Sequence, residues 1–330
     1  MKVFCFGELL LRLSPSPGRQ WTRDMAMPAY IGGAELNVAT ALAGWGVPVK
    51  YMTSLPNNYL SSDIINELQD RKIDTSAIRF EGERLGIYYL PQETDLKHGG
   101  VIYDRDHSAF ASLKPGMINW EDILNDCDWF HFSAISPGLN HNTAEICREA
   151  LEIASKRGMR ISIDLNYRSK LWQYGKAPGE VMPSLLSYCD VVMGNLWAAE
   201  ALLGIPSPLK ESTGHTDTRL QEGAGESIRK LHQTFPAIRS AAYTFRLDKK
   251  YFSVFSHEGQ FFTSKEFALE QVVDKVGSGD CFMAGLIYGL LHQHKGTEIV
   301  DFAAAAAVGK MKEKGDHTKQ SIEMIKKILH

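Results

Sequence analysis

No stretch of the 330-residue chain approaches the roughly 18 uninterrupted apolar residues of a membrane-spanning helix, so a bilayer span is not expected. The opening MKVFCFGELLLRL is apolar, but Glu8 and Arg12 interrupt it and no small-residue cleavage site follows. It reads as a buried first strand rather than a signal peptide. Cysteine is sparse: Cys5, Cys127, Cys147, Cys189 and Cys281 are odd in number and far apart. No pair has the spacing of a zinc knuckle or a redox couple, which points to a reducing, cytoplasmic setting. Cationic excess is also absent. The net charge of -3 argues against nonspecific nucleic-acid binding, which needs clustered Lys and Arg. No G-x-G-x-x-G follows the first strand, which disfavours a dinucleotide enzyme. No internal repeat or low-complexity tract is present, and no residue set is assigned to a metal.

What is present is alternation. VFCFGELLLRL reads as a strand, ELNVATALAGWG as a helix ending at Gly44 or Gly46, and VKYMTSL as a strand. SSDIINELQDRK reads as a helix opened by a capping Ser or Asp. DWFHFSAI, MRISIDLN and IRSAAYTF are further strands, TAEICREALEIASKRG is a helix, and SLLSYCDVVMGN is a helix-to-strand unit. This βαβα order predicts a mostly parallel sheet with helices on both faces. Two segments break the rhythm. Residues 13–31 are rich in loop formers, and residues 84–112 are aromatic and β-prone, reading as antiparallel strands that form either a small lid or an ordinary hairpin. Residues 205–224 are polar and turn-rich and read as a mobile loop.

The most informative stretch is VVDKVGSGDCFMAGLIYGLLHQH. An apolar strand is expected to end near Val273, followed by Gly277-Ser278-Gly279-Asp280. Phe282, Leu286, Ile287, Leu290 and Leu291 then recur at helical spacing. Glycine lets backbone approach a ligand, and the first N–H groups of a helix are unpaired and suit an anion. Asp280 would stand beside a phosphoryl group held there, placed to take a proton from an attacking hydroxyl. Read alone, the same Asp could be a helix N-cap. A second pair, Gly32-Gly33, precedes a helix that carries Asn37, whose amide can both donate to and accept from hydroxyls. On that segment alone, a tight turn with a helix-facing Asn is the simpler reading.

Together, IGGAELNVATALAGWG and DKVGSGDCFMAGLIYGLL resemble the two signatures of the ribokinase-like (PfkB) carbohydrate kinases, in the right order. The resemblance covers most of the chain. Within that family the chain is most similar to the 2-keto-3-deoxygluconate kinases, through FGELLLRLSP, GIYYL, VIYDRDHSA and DLNYRSKLW. The resemblance implies a Rossmann-like three-layer αβα sandwich with a small β-sheet lid. The core would comprise residues 1–12, 32–83 and 113–330, and the lid residues 13–31 and 84–112. It implies Asp280 as base, with Gly277, Ser278 and Gly279 as the anion hole. Gly33 and Asn37 would hold substrate hydroxyls, and Tyr88, Tyr103, Arg105 and Arg168 would line an acid-sugar pocket. Guanidinium groups pair bidentately with carboxylates, which favours an acid sugar. ATP and Mg2+ are the implied cofactors, and K+ is left open. The implied partners are the sugar acid and ATP, and the aromatic lid segment is compatible with a homodimer or higher homo-oligomer.

The chain departs from the family pattern on the ATP side. In the N-x-x-E segment Asn195 is kept, but Ala198 replaces Glu, and Glu200 lies two residues later. Phe245, Arg246 and Leu247 stand where a glycine-rich nucleotide turn is usual, and Lys275 stands in place of a common Thr. Asn195, Arg246 and Lys275 are therefore the nucleotide-contacting candidates. Two rival readings stay open: a kinase for fructose, ribose or another neutral sugar, and a noncatalytic sugar or nucleotide sensor.

Overall fold

A computed structural model describes residues 1–15, 23, 26–91, 100–209 and 214–330. A ten-stranded sheet runs in the order Gln260–Thr263, Lys250–His257, Ser240–Arg246, Val191–Gly194, Arg160–Asp164, Trp129–Ser133, Val3–Phe6, Val49–Met52, Ile73–Asp74. The tenth strand, Phe267–Ala268, pairs with Lys250–His257. Pairing is parallel from Ile73–Asp74 through Ser240–Arg246 and antiparallel beyond.

The strands are buried on both faces because apolar residues occupy both parities. Phe4 and Phe6 join one core cluster and Val3 and Cys5 the other; Val192 and Val191 divide the same way. Helices His141–Lys156, Pro178–Leu186, Leu196–Leu203 and Asp217–Thr234 cover the first face. Ala34–Gly44, Tyr59–Asp70, Ser278–Leu291 and Gly296–Lys310 cover the second. Each large side chain sealed in these layers stabilises the fold by about 1.5–3 kcal/mol. Phe130, stacked on Phe4 at 5.6 Å, is one whose loss to Ala would cost about 3–5 kcal/mol. Helices Ser278–Leu291 and Gly296–Lys310 meet closely because Gly285 faces Ala303. A Cβ on Gly285 would come within 2.6 Å of the Ala303 Cα. That contact fixes the helix whose first turn carries Asp280.

A second, four-stranded sheet has the order Ala29–Gly32, Leu10–Leu13, Gly86–Tyr89, Ile102–Asp104. Its small apolar cluster joins Leu10, Tyr88, Leu90 and Val101 to Val276, the residue just before the glycine turn. The lid strands thus roof the glycine turn.

Several sequence expectations shift in detail. VFCFGELLLRL is two strands in two sheets, broken at Gly7, where a Cβ would strike the Glu35 carboxylate at 2.0 Å. VKYMTSL likewise divides into Val49–Met52 and Ser54–Leu55. The helix Tyr59–Asp70 is capped by Asn58, which accepts from the Ser61 N–H at 3.0 Å, rather than by Ser or Asp. The stretch near Val273 is no strand; the nearest is Phe267–Ala268. Within the expected loop 205–224, a helix begins at Asp217 on the Thr216 cap, because Leu220, Ala224 and Ile228 form one buried stripe. Residues 210–213 lie outside the described residues, as do much of 13–31 and residues 92–99. All five cysteines are buried and free, and among the described residues no helix is long and apolar enough to cross a membrane.

Candidate active site

Strand ends and helix starts converge on a cavity of about 260 Å3 at the carboxyl ends of Arg160–Asp164, Val191–Gly194 and Ser240–Arg246. Ligands of open α/β sheets bind at this end of the strands. Its floor is the start of helix Ser278–Leu291. Gly277 is the N-cap, with φ of 78°, and a Cβ there would lie 1.7 Å from the Asp316 carbonyl oxygen. Only glycine satisfies both demands. The Ser278 N–H donates to the Lys275 carbonyl at a long 3.4 Å. Among the described residues, the N–H groups of Gly277, Gly279 and Asp280 have no protein acceptor. This is the free amide cluster that an anion requires.

Gly33 caps the helix Ala34–Gly44 with φ of 139°, where a Cβ would lie 2.4 Å from the Glu8 carbonyl. The helix start so placed brings Asn37 across the cavity, and its Nδ2 donates to Asp280 Oδ2 at 2.7 Å. The two glycine turns, far apart in sequence, thus meet at the carboxylate. Asn37 was expected to hold a substrate hydroxyl; its Nδ2 already orients Asp280, and among the described residues its buried Oδ1 has no donor. Asp280 is 8% exposed, lines the cavity, and does not cap its own helix. Burial raises its pKa to about 6, and the Asn37 bond, Arg168 and Lys310 pull the other way. The carboxylate therefore stays largely ionised at neutral pH, as a base needs.

Two more carboxyls share this low-dielectric region. Burial, reinforced by Asp280, lifts Asp164 to about 8, and burial lifts Glu35 to about 7. Asp164 lines the cavity, whereas Glu35 is bound by the Ser133 N–H and hydroxyl at 2.8 and 2.6 Å. Sequence reasoning passed over Asp164, although it opens the DLNYRSKLW segment singled out for Arg168. It also missed Asp316, to which the Tyr88 hydroxyl donates at 2.8 Å and Arg12 Nε pairs at 2.7 Å. No local motif marks Asp316.

The sugar-side candidates are brought together: Gly33, Tyr88, Tyr103, Arg105 and Arg168 all line the cavity. Arg105 is 4% exposed and already paired, its Nε donating to Glu8 at 2.9 Å, with the Ser108 hydroxyl on the other Glu8 oxygen at 2.5 Å. Arg168 is half-buried, and its charge lowers the pKa of both Asp164 and Asp280. Arg246 ends its strand with Nη1 at 3.5 Å from the Ser278 hydroxyl, and Arg246 and Lys275 both line the cavity. The strand returns directly, with the Leu247 N–H donating to the Lys250 carbonyl, so a tight hairpin replaces any glycine-rich turn. Phe245 is buried against Phe252. Asn195 lines the cavity, but its Oδ1 caps helix Leu196–Leu203 by accepting from the Ala198 N–H at 2.9 Å. Glu200 is exposed and accepts from the Ser207 N–H, so it does not take the missing Glu's place.

Unclaimed helix-start amides beside an ionised, buried carboxylate suit the transfer of a phosphoryl group to a small hydroxyl compound. The chain matches the family model described as pfkB family carbohydrate kinase over residues 1–322, and it belongs to that family. It is therefore a sugar kinase, and the family implies ATP and a divalent metal. The fold is ribokinase-like, as expected from the sequence. The crystal structure of 2-dehydro-3-deoxygluconokinase from Thermotoga maritima is 33% identical, with a TM-score of 0.89 covering 100% of this chain and 99% of that one. The 2-dehydro-3-deoxygalactonokinase of Haloferax volcanii is 27% identical over 99% of this chain and 96% of its own length. The 2-dehydro-3-deoxygluconokinase of Bacillus subtilis is 27% identical over 79% of this chain and 74% of its own.

Proposed function

We propose that the enzyme transfers the γ-phosphoryl group of ATP to the terminal hydroxyl of 2-keto-3-deoxygluconate, giving ADP and the 6-phosphorylated product. The observation that carries this reading is the Asn37–Asp280 contact beside the open amides of Gly277, Gly279 and Asp280. Asp280 accepts the proton of the terminal hydroxyl, and the amides hold the migrating phosphoryl group. Asn37 Oδ1 takes a substrate hydroxyl as its missing donor. Arg168 meets the sugar carboxylate, and Arg246 and Lys275 face the ATP phosphates. A magnesium ion, when bound, would offset charge on those phosphates, and Asp164, a buried carboxyl that lines the cavity, is the residue that would hold it. The lid strands exclude water from the transfer. The five buried, free thiols support a cytoplasmic setting.

A neutral-sugar substrate is the second reading, because Arg105 is already paired with Glu8 and is not a free carboxylate clamp. One assay of ADP release decides between them, run with 2-keto-3-deoxygluconate, its galacto epimer, fructose and ribose. The acid sugars should be used with the highest kcat/KM. Preference for a neutral ketose overturns the acid-sugar assignment, and binding without ADP release from any sugar overturns the kinase reading.

A further inference from the structure

Behind the glycine turn lies a charge that the chemistry above does not use. Lys310 is the last residue of helix Gly296–Lys310 and is 0% exposed. An ammonium has three donors. Among the described residues, the hydrogen bond that Lys310 Nζ makes is to the Glu313 carbonyl at 3.3 Å, and no carboxylate reaches ion-pair distance of it. So weakly bound a buried ammonium needs another source of stabilisation. The end of its own helix supplies one, since the C-terminal carbonyls favour a cation. The carboxylates of Asp274, Asp316 and Glu313 supply the rest, opposing the burial that lowers the Lys310 pKa.

The position matters for phosphate binding. Lys310 Cε lies 3.4 Å from where a Gly277 Cβ would stand, directly behind the anion hole. The loop that carries the hole is tied to the loop after Lys310 by several bonds. The Val273 and Asp274 N–H groups donate to the Met311 carbonyl at 2.8 and 3.1 Å. Asp274 accepts from the Val276 N–H at 3.0 Å and from the Gly315 N–H at 3.2 Å. The region therefore concentrates the carboxylates of Asp274, Asp280, Glu313 and Asp316, a poor field for a phosphate. Arg12 answers Asp274 and Asp316 from the lid side. Lys310 is the cation on the helix side.

We propose that the Lys310 ammonium is the resident counter-cation of the phosphate site, a positioning residue that makes turnover independent of added potassium. The proposal rests on the kinase reading above. It predicts a salt response that a merely structural lysine would not produce. Wild-type ADP release, measured in tetramethylammonium buffer free of other monovalent metals, should change less than twofold on adding 100 mM KCl. Lys310→Met should lose about 100-fold in kcat, with sugar KM changed less than threefold, and should recover at least tenfold in KCl but not in tetramethylammonium chloride. A potassium requirement of the wild type, full activity of Lys310→Met, or a loss that KCl does not mend each overturns the proposal. If Lys310→Met does not fold, the wild-type salt response decides: independence supports the proposal and a tenfold dependence overturns it. If no sugar elicits ADP release, the kinase reading has failed, and calorimetric ATP binding tests Lys310 instead. Binding at least tenfold weaker in Lys310→Met and restored by KCl supports the role; unchanged binding overturns it.

Discussion

Replacing Gly277 by alanine tests the anion hole without removing any charged group. The residue has φ of 78°, and its added Cβ would fall 1.7 Å from the Asp316 carbonyl oxygen. The left-handed backbone costs an alanine about 1–2 kcal/mol, and overpacking against a fixed carbonyl adds about 1–3 kcal/mol. The expected destabilisation is thus about 2–5 kcal/mol. A comfortable carbon-to-oxygen contact is about 3.3–3.6 Å, so the two loops must separate by roughly 1.5–2 Å. A misplacement of about 1 Å can cost about 100-fold in rate, so kcat should fall at least that far. Gly279→Ala is the control for stability: its Cβ would meet nothing nearer than Met193 Cε at 3.8 Å, and the position is helical. That variant should unfold at the wild-type urea concentration or slightly above it. Urea titration followed by tryptophan fluorescence, with ADP release on the same samples, provides both readings. A Gly277→Ala enzyme with wild-type midpoint and wild-type kcat would show that the amide geometry is not what holds the phosphoryl group.

Asp280→Asn should lower kcat by about 100- to 10,000-fold while calorimetry still detects sugar and ATP; undiminished turnover removes Asp280 from the role of base. Because Asp280 titrates at about 6 and acts when ionised, kcat/KM should be level above pH 7 and fall about tenfold per unit well below 6. A profile flat to pH 5 contradicts this. Asp280, Glu35 and Asp164 all have pKa values raised by folding, so the folded state holds their protons more tightly than the unfolded chain. Their contribution to stability is full below the ordinary carboxylate range and is lost as pH rises toward about 8. Asp164→Asn should therefore raise the urea midpoint at pH 8.5 and leave it nearly unchanged at pH 4.5, and equal midpoints at both would refute the burial argument. Arg168→Ala should raise KM for the acid sugar at least about tenfold more than for fructose, the worth of one charge-assisted pair; equal effects would remove the carboxylate contact. Arg105→Ala would instead strand the Glu8 carboxylate, 3% exposed, and cost about 3–5 kcal/mol of stability, so Arg168 is the cleaner probe.

The layered fold was legible because apolar residues of both parities mark strands buried on two faces, and helical stripes separate them. The crossing between sheets was not. Nothing local in VFCFGELLLRL tells that Gly7 must clear Glu35 and send the chain into another sheet. The glycine turns could be read from composition, since only glycine tolerates their backbone. What they hold could not: the Asn37–Asp280 bond joins positions brought together only by tertiary packing. Arg105 shows the converse. A guanidinium in a substrate segment looks free in sequence, and its partner Glu8 comes from the first strand's exit. Asp316, Lys310 and Asp164 escaped notice for the same reason, each gaining its character from burial and from neighbours remote along the chain.

Val276 belongs to the apolar cluster of the lid sheet, yet it is bonded in sequence to Gly277. Roof and floor of the reaction chamber thus meet at a residue directly bonded to the glycine turn. Any movement of the lid strands would disturb the packing of Val276 and, through it, the turn next in the chain, so the two ends of the chamber are mechanically joined at one side chain.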